Sequence, residues 1–151
     1  MSLDDLTNTL KPLIKILKET PLENPQNAQR HLETKIPFHS ETMREIGFLL
    51  EKGAHENWLL PKENQGIRFG RIAKDLDGFS VDAVLMSTPG PRHRHGNGEI
   101  DLCFATKGDP KFDGHSEGWV VYEPNSEHVP TVTNGEMLIL YFLPGGAIEF
   151  L

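Results

Sequence analysis

Up to Pro61 the apolar positions recur three and four residues apart, and from Gly66 onward they recur every second residue. The first period is that of a helix with one buried face, the second that of a strand. Leu3, Leu6, Leu10, Leu13, Ile14 and Leu17 predict a helix capped by Ser2, with Lys15 and Lys18 suited to its C-terminal end. Pro12 interrupts that run and predicts a kink or two shorter pieces. Met43, Ile46, Leu49 and Leu50 predict another helix from Ser40 to Lys52, with Gly53 as its stop. Between the two, the segment from Pro21 to Pro37 predicts a short helix around Gln26 to Glu33.

The period-two part predicts short strands at Ile67 to Ala73, Phe79 to Met86, His93 to His95, Glu99 to Phe104, Gly118 to Tyr122, His128 to Thr133 and Met137 to Leu143. Asp77-Gly78, Asn97-Gly98, Asp113-Gly114, Pro124-Asn125 and Asn134-Gly135 supply the turns between them. Short antiparallel strands joined in this way form a barrel or a sandwich. The expected protein is mainly β, with residues 1–62 as a helical extension packed on a β unit of residues 63–151. The apolar helix faces require burial on that unit or on a second copy.

A length of 151 residues suits one domain, and 37% hydrophobic with 25% charged residues argues against a disordered chain. No apolar run approaches the roughly 20 residues that cross a bilayer. Asp4 and Asp5 stand where a secretory leader would be basic, so a cytoplasmic location is expected. Cys103 is the single cysteine, which excludes an intramolecular disulfide and suits a reducing compartment. A net charge of -7 leaves no cationic excess for a phosphate backbone, so nucleic acid is not an expected partner.

The chemistry concentrates in Pro91-Arg92-His93-Arg94-His95-Gly96-Asn97-Gly98-Glu99-Ile100-Asp101. On a strand, His93 and His95 share a face and can grip one ion together. Gly96-Asn97-Gly98 turns the chain, and Glu99 opens a returning strand opposite His95. Two nitrogens and a carboxylate suit divalent Fe, Mn, Ni, Zn or Cu. His128, after the turn Pro124-Asn125-Ser126, is the candidate fourth ligand. Asp101 shares the face of Glu99 and can replace it or act as a base.

His93-x-His95-x3-Glu99 resembles the first cupin motif, and Gly118-x5-Pro124-x-Ser126-x-His128 resembles the second, whose histidine completes the ligand set. Ser87 stands where a glycine is usual, Ser126 replaces another glycine, and His128 arrives one residue early. The resemblance implies a cupin-type antiparallel β-barrel, a jelly roll, over about residues 66–151, with metal and substrate in its mouth.

A narrower resemblance is carried by Gly66-Ile67-Arg68-Phe69-Gly70-Arg71, Phe79-Ser80-Val81-Asp82, His93 through Asp101, Phe112-Asp113-Gly114-His115 and Gly145-Gly146-Ala147-Ile148-Glu149-Phe150. Together they are similar to the bacterial 4-hydroxylaminobenzoate lyases of nitroaromatic degradation. This implies conversion of 4-hydroxylaminobenzoate and water to 3,4-dihydroxybenzoate and ammonia, with a homodimer as the assembly. Glu99, Asp101 and His115 are the candidate bases. An arginine is the natural partner for a benzoate carboxylate, and since Arg92 and Arg94 alternate away from the histidines, Arg68 and Arg71 are the favoured candidates. Tyr122 is among the aromatic side chains that can wall the substrate. The same ligand set also suits a cupin dioxygenase acting on a small aromatic or diketone, distinguished by oxygen consumption. A non-catalytic ligand-binding cupin is the third reading, distinguished by a closed metal site.

Overall fold

The computed structural model describes residues 2–151. Helices α1 (Leu3–Lys18), α2 (Pro25–Lys35) and α3 (Glu41–His55) precede strands β1 (Lys62–Asn64), β2 (Ile67–Leu76), β3 (Phe79–Met86) and β4 (His93–His95). Then follow β5 (Glu99–Phe112), β6 (Gly118–Tyr122), β7 (Ser126–His128), β8 (Val132–Pro144) and β9 (Glu149–Phe150). The strands form two antiparallel sheets, one in the order β1-β2-β3-β8-β5-β6 and a small one in the order β7-β4-β9. Among the described residues the two sheets share no strand, so the expected barrel is an open two-sheet arrangement rather than a closed cylinder. Among the described residues no helix is long and apolar enough to cross a membrane.

α1 runs unbroken through Pro12, because Leu6, Leu10, Leu13, Ile14 and Leu17 on both sides of it are buried in one core. That shared burial outweighs the ~3 kcal/mol that an interior proline costs. α3 does not stop at Gly53 but continues to His55. Gly53 is there for close packing, since a Cβ would lie 2.8 Å from both Trp58 and Leu59. Ser40 caps α3 as expected, its hydroxyl accepting from Met43 N at 3.3 Å.

The large sheet is covered on both faces, which is why β8 reads as a continuous apolar run and not as an alternation. Leu138, Leu140 and Phe142 of β8, with Ile100, Leu102 and Trp119, pack against the helices. Met137, Ile139 and Tyr141, with Cys103, Val120 and Met86, face the other way. α1 lies on β2 and α2 on β6. The Trp119 indole N–H donates to the carbonyl of Ile36 at 3.0 Å, tying the helical layer to the sheet.

Several strands exceed their expected lengths. β5 reaches Phe112, and Asn134-Gly135 lies inside β8 as an irregularity opposite Lys107 and Gly108 rather than as a turn. The positive φ of Asn134 (62°) is used for a bulge, which needs the same backbone freedom as a turn. The chain after His95 does not return as a hairpin: β4 belongs to the small sheet and β5 to the large one.

Candidate metal centre

β4 is the middle strand of the small sheet, paired with β7 and β9. Its alternation turns His93 and His95 inward, while Arg94 meets Glu127 at 2.9 Å and Glu149 at 3.6 Å outside. The register His93↔His128 sets His128 beside His93 on the neighbouring strand. Gly96-Asn97-Gly98 then carries the chain across to the large sheet, so Glu99 arrives from the opposite layer. Gly98 has φ +89°, and a Cβ there would lie 2.9 Å from the carbonyl oxygen of Tyr122 and 2.8 Å from Leu22. Glycine alone makes this crossing without strain.

One ligand atom from each of His93, His95, Glu99 and His128 lies within 4.8 Å of the others. His93 Nε2 is 3.1 Å from Glu99 Oε1 and 3.1 Å from His128 Nε2. Glu99 Oε2 is 3.2 Å from His128 Nε2 and 3.9 Å from His95 Nε2. His93, His95 and Glu99 are buried.

The outer nitrogens decide the tautomers. His93 Nδ1 faces the carbonyl of Pro91 at 3.3 Å, which can only accept. The Ser126 hydroxyl donates to Glu123 O at 2.6 Å and so accepts from His95 Nδ1 at 3.1 Å. His128 Nδ1 donates to Asp113 Oδ2 at 2.7 Å. All three imidazoles therefore present Nε2 to one point, together with Glu99. His95 Nε2 and Glu99 Oε2 are buried without a hydrogen-bond partner. Such orphaned atoms cost about 1–3 kcal/mol each, and a divalent cation at the common point would satisfy them. The donor set fits one divalent ion.

Burial pushes the Glu99 carboxyl up, but the close His128 and His93 imidazoles outweigh it and hold the group well below the usual range. Burial and the neighbouring Glu99 charge push Asp101 far up, so it is a neutral acid. His95 is lowered by burial, reinforced by His128 and His93 and opposed by Glu99, which keeps its imidazole neutral. His128 is pushed up to about 9, because Asp113 and Glu99 outweigh its burial.

A cavity of about 510 Å³ opens on the cluster, with His93 and Glu99 in its wall. Its apolar lining includes Ile67, Phe69, Val84, Met86, Tyr141 and Leu143, and its charged pair is Arg71 with Asp82. Arg71 Nε and Nη2 donate to the two Asp82 oxygens at 2.9 and 3.2 Å. Arg68 alternates away from Ile67, Phe69 and Arg71 on β2 and is not in the cavity wall. Asp101 lies one pleat beyond Glu99, fully buried, its carboxyl oxygens unpartnered and outside the cavity wall. His115 is exposed and pairs through its backbone with Phe112.

Tyr122 stacks near His128, with ring centroids 4.2 Å apart, and its hydroxyl donates to Asp113. It backs the cluster and is not in the cavity wall. Asp113 itself is a site residue that the sequence does not single out. It receives His128, Tyr122 and the Thr131 backbone N–H, and these bonds overcome its partial burial to lower its carboxyl. Its sequence signals are the turn dipeptide Asp113-Gly114, which equally marks an ordinary turn, and its place in the string Phe112-Asp113-Gly114-His115, neither of which gives it a role.

Two antiparallel sheets with His-x-His-x3-Glu and a later histidine converging between them define a cupin. A family model described as PnbB: 4-hydroxylaminobenzoate lyase matches residues 8–150, and the chain belongs to that family. A protein of Pseudomonas putida named 4-hydroxylaminobenzoate lyase is 27% identical over 145 residues, covering 82% of each chain. One of the same name from Nocardioides sp. (strain LMS-CY) is 27% identical over 124 residues, 74% of this chain and 73% of its own. Among solved structures, an RmlC-like cupin protein from Ralstonia eutropha JMP134 has a TM-score of 0.47 at 14% identity, covering 62% of this chain and 66% of that one. With these relatives the chain is a lyase-like enzyme.

Proposed function

We propose that the protein converts 4-hydroxylaminobenzoate and water to 3,4-dihydroxybenzoate and ammonia, using a divalent ion held by His93, His95, Glu99 and His128. The observation that carries this reading is the apolar cavity whose wall combines two members of the cluster with an arginine. Family membership and relatives bearing that name support the choice of substrate.

The bound ion would supply Lewis acidity toward the hydroxylamino oxygen. The chain does the rest. The apolar walls hold the ring and limit water around it. Arg71 is pre-oriented by Asp82 through Nε and Nη2, which leaves Nη1 for the substrate carboxylate. In the reaction the N–O bond breaks and the oxygen leaves as water, giving an iminoquinone-like ring. Water adds beside the nitrogen, and a second water cleaves the C–N bond to release ammonia. Nothing is oxidised overall, so no electron acceptor is needed. Glu99 is the ionised group nearest the reacting end and takes the proton of the adding water if the ion leaves one of its oxygens free. Asp101 lies behind it as a neutral acid, and His115 is the remaining candidate base.

The cytoplasm is the proposed location and a homodimer the proposed assembly. What supports the dimer is Phe48, 52% exposed on α3, the helix that also lines a groove with Phe38 and Phe104. Residues 1–62 act as a helical extension packed on the cupin unit 63–151, and the core common to both supports that packing. Chromatography of products from the metal-loaded enzyme tests the reaction: 3,4-dihydroxybenzoate is expected, and its absence contradicts the proposal. Arg71→Ala should act mainly by raising KM, about ten-fold or more, since it removes a charge-assisted contact that ground state and transition state share.

A further inference from the structure

Three strands, β2, β3 and β8, build the fixed side of the cavity, and its opposite lip is made by Ile148 and Phe150. These two side chains are 37% and 65% exposed, so they line the opening without belonging to either core. The backbone that carries them is lightly held. Gly145 and Gly146, with φ of 65° and 67°, turn the chain out of β8. β9 then pairs with β4 at only two positions, His93↔Phe150 and Arg94↔Glu149. Beyond it, Leu151 N donates to the carbonyl of Arg92 at 3.0 Å. Its charged side-chain tie is the solvent-exposed Arg94–Glu149 pair at 3.6 Å, a weak kind of contact, and its other side-chain contact is the Phe150 ring against His93. The hinge end is firmer, with Gly145 N donating to Gly78 O at 2.7 Å. The strap can therefore swing about its glycines while both cores stay intact.

Phe150 also sits where the chemistry is. Its ring centroid is 6.2 Å from that of His93, at an interplanar angle of 68°. An aromatic substrate that enters the cavity with its reacting nitrogen toward the cluster passes beneath this ring.

We propose that residues 145–151 form the movable wall of the cavity and that Phe150 contacts the ring of the bound aromatic, a positioning contact that sets the preference for a flat, aromatic substrate. This rests on the lyase reading above. It also gives a use to Gly145-Gly146-Ala147-Ile148-Glu149-Phe150, a segment that the ligand set leaves unexplained.

The test uses the full-length, metal-loaded enzyme with Phe150→Ala and Phe150→Leu. Because the Phe150 side chain is exposed and its strand is held through the backbone, both variants should fold. The probe for binding is 4-aminobenzoate, which keeps the ring and carboxylate but lacks the leaving oxygen. In Phe150→Ala, the dissociation constant for this probe and the Michaelis constant for the hydroxylamino substrate should each rise about ten-fold, the size of one lost aromatic contact. Phe150→Leu should fall between that and wild type, and the affinity for the metal alone should not move. In wild type, amide exchange across 147–151 should slow when 4-aminobenzoate binds. Normal turnover in wild type, with both constants of Phe150→Ala within about two-fold of the wild-type values, would overturn the strap proposal alone. Unchanged exchange on ligand binding would do the same. A wild type that neither binds 4-aminobenzoate nor releases ammonia would overturn the lyase reading and the strap proposal with it.

Discussion

Asp113 shows how a residue that touches neither cavity nor cluster centre can set the chemistry. Its carboxylate accepts a hydrogen bond from His128 Nδ1 and so keeps Nε2 turned toward the cluster, where a metal ion would replace its proton. Asp113→Asn keeps the shape and removes the charge. Titration calorimetry of the metal-free variant with zinc should show an affinity about 10–100-fold below wild type. An unchanged affinity would mean that the register of β4 and β7 positions His128 by itself. The same contact makes a prediction about pH. In the metal-free protein His128 is raised from 6.5 to about 9, so the folded state binds this proton more tightly than the unfolded one. Its stabilisation is complete below pH 6.5 and is lost as pH rises through about 9. Glu99 works in the opposite sense: its lowered pKa stabilises above 4.5 and that contribution is lost on acidification. The Tm of metal-free wild type should fall between pH 6.5 and 9, and Asp113→Asn should flatten that fall. A wild-type Tm level across this window would contradict the assignment.

At the scale of elements, what could be read in the sequence depended on whether one element or two were involved. The faces of α1 and α3 and the pairing of His93 with His95 follow from a single period, and each is found as expected. The choice between Arg68 and Arg71 was half legible: parity groups Arg71 with Ile67 and Phe69, but only the packing of β2 shows that this side faces the cavity. The Asp113–His128 bond joins residues 15 apart on different elements, and no local period encodes it. Gly53 and Asn134-Gly135 misled in a common way. A residue chosen for closeness or for positive φ has the same letters whether it ends an element or sits inside one. Gly70 is a third such position, since a Cβ there would lie 2.1 Å from the carbonyl oxygen of Leu59, where the chain leaves the helices for the sheets. Backbone cannot yield as a flexible side chain does, so Gly70→Ala should cost about 1–3 kcal/mol or more in urea unfolding. A change below about 0.5 kcal/mol would show that the link between helices and sheets yields easily.

At the scale of the molecule, the helices cover one face of the large sheet, while its other face carries two buried carboxyls and looks onto an open cavity and the three imidazoles of the small sheet. The division of labour places a buried donor set that includes orphaned atoms next to a largely apolar cavity of about 510 Å³. The most direct measurement follows ammonia against time with 4-hydroxylaminobenzoate under strictly anaerobic conditions, in metal-loaded, chelator-treated and reloaded enzyme, with His95→Ala as control. Ammonia and 3,4-dihydroxybenzoate should form in equal amounts without oxygen, both should be lost on chelation and recovered on reloading, and His95→Ala should release neither. Turnover that requires oxygen, or that persists undiminished after the metal is removed, would contradict a metal-dependent lyase.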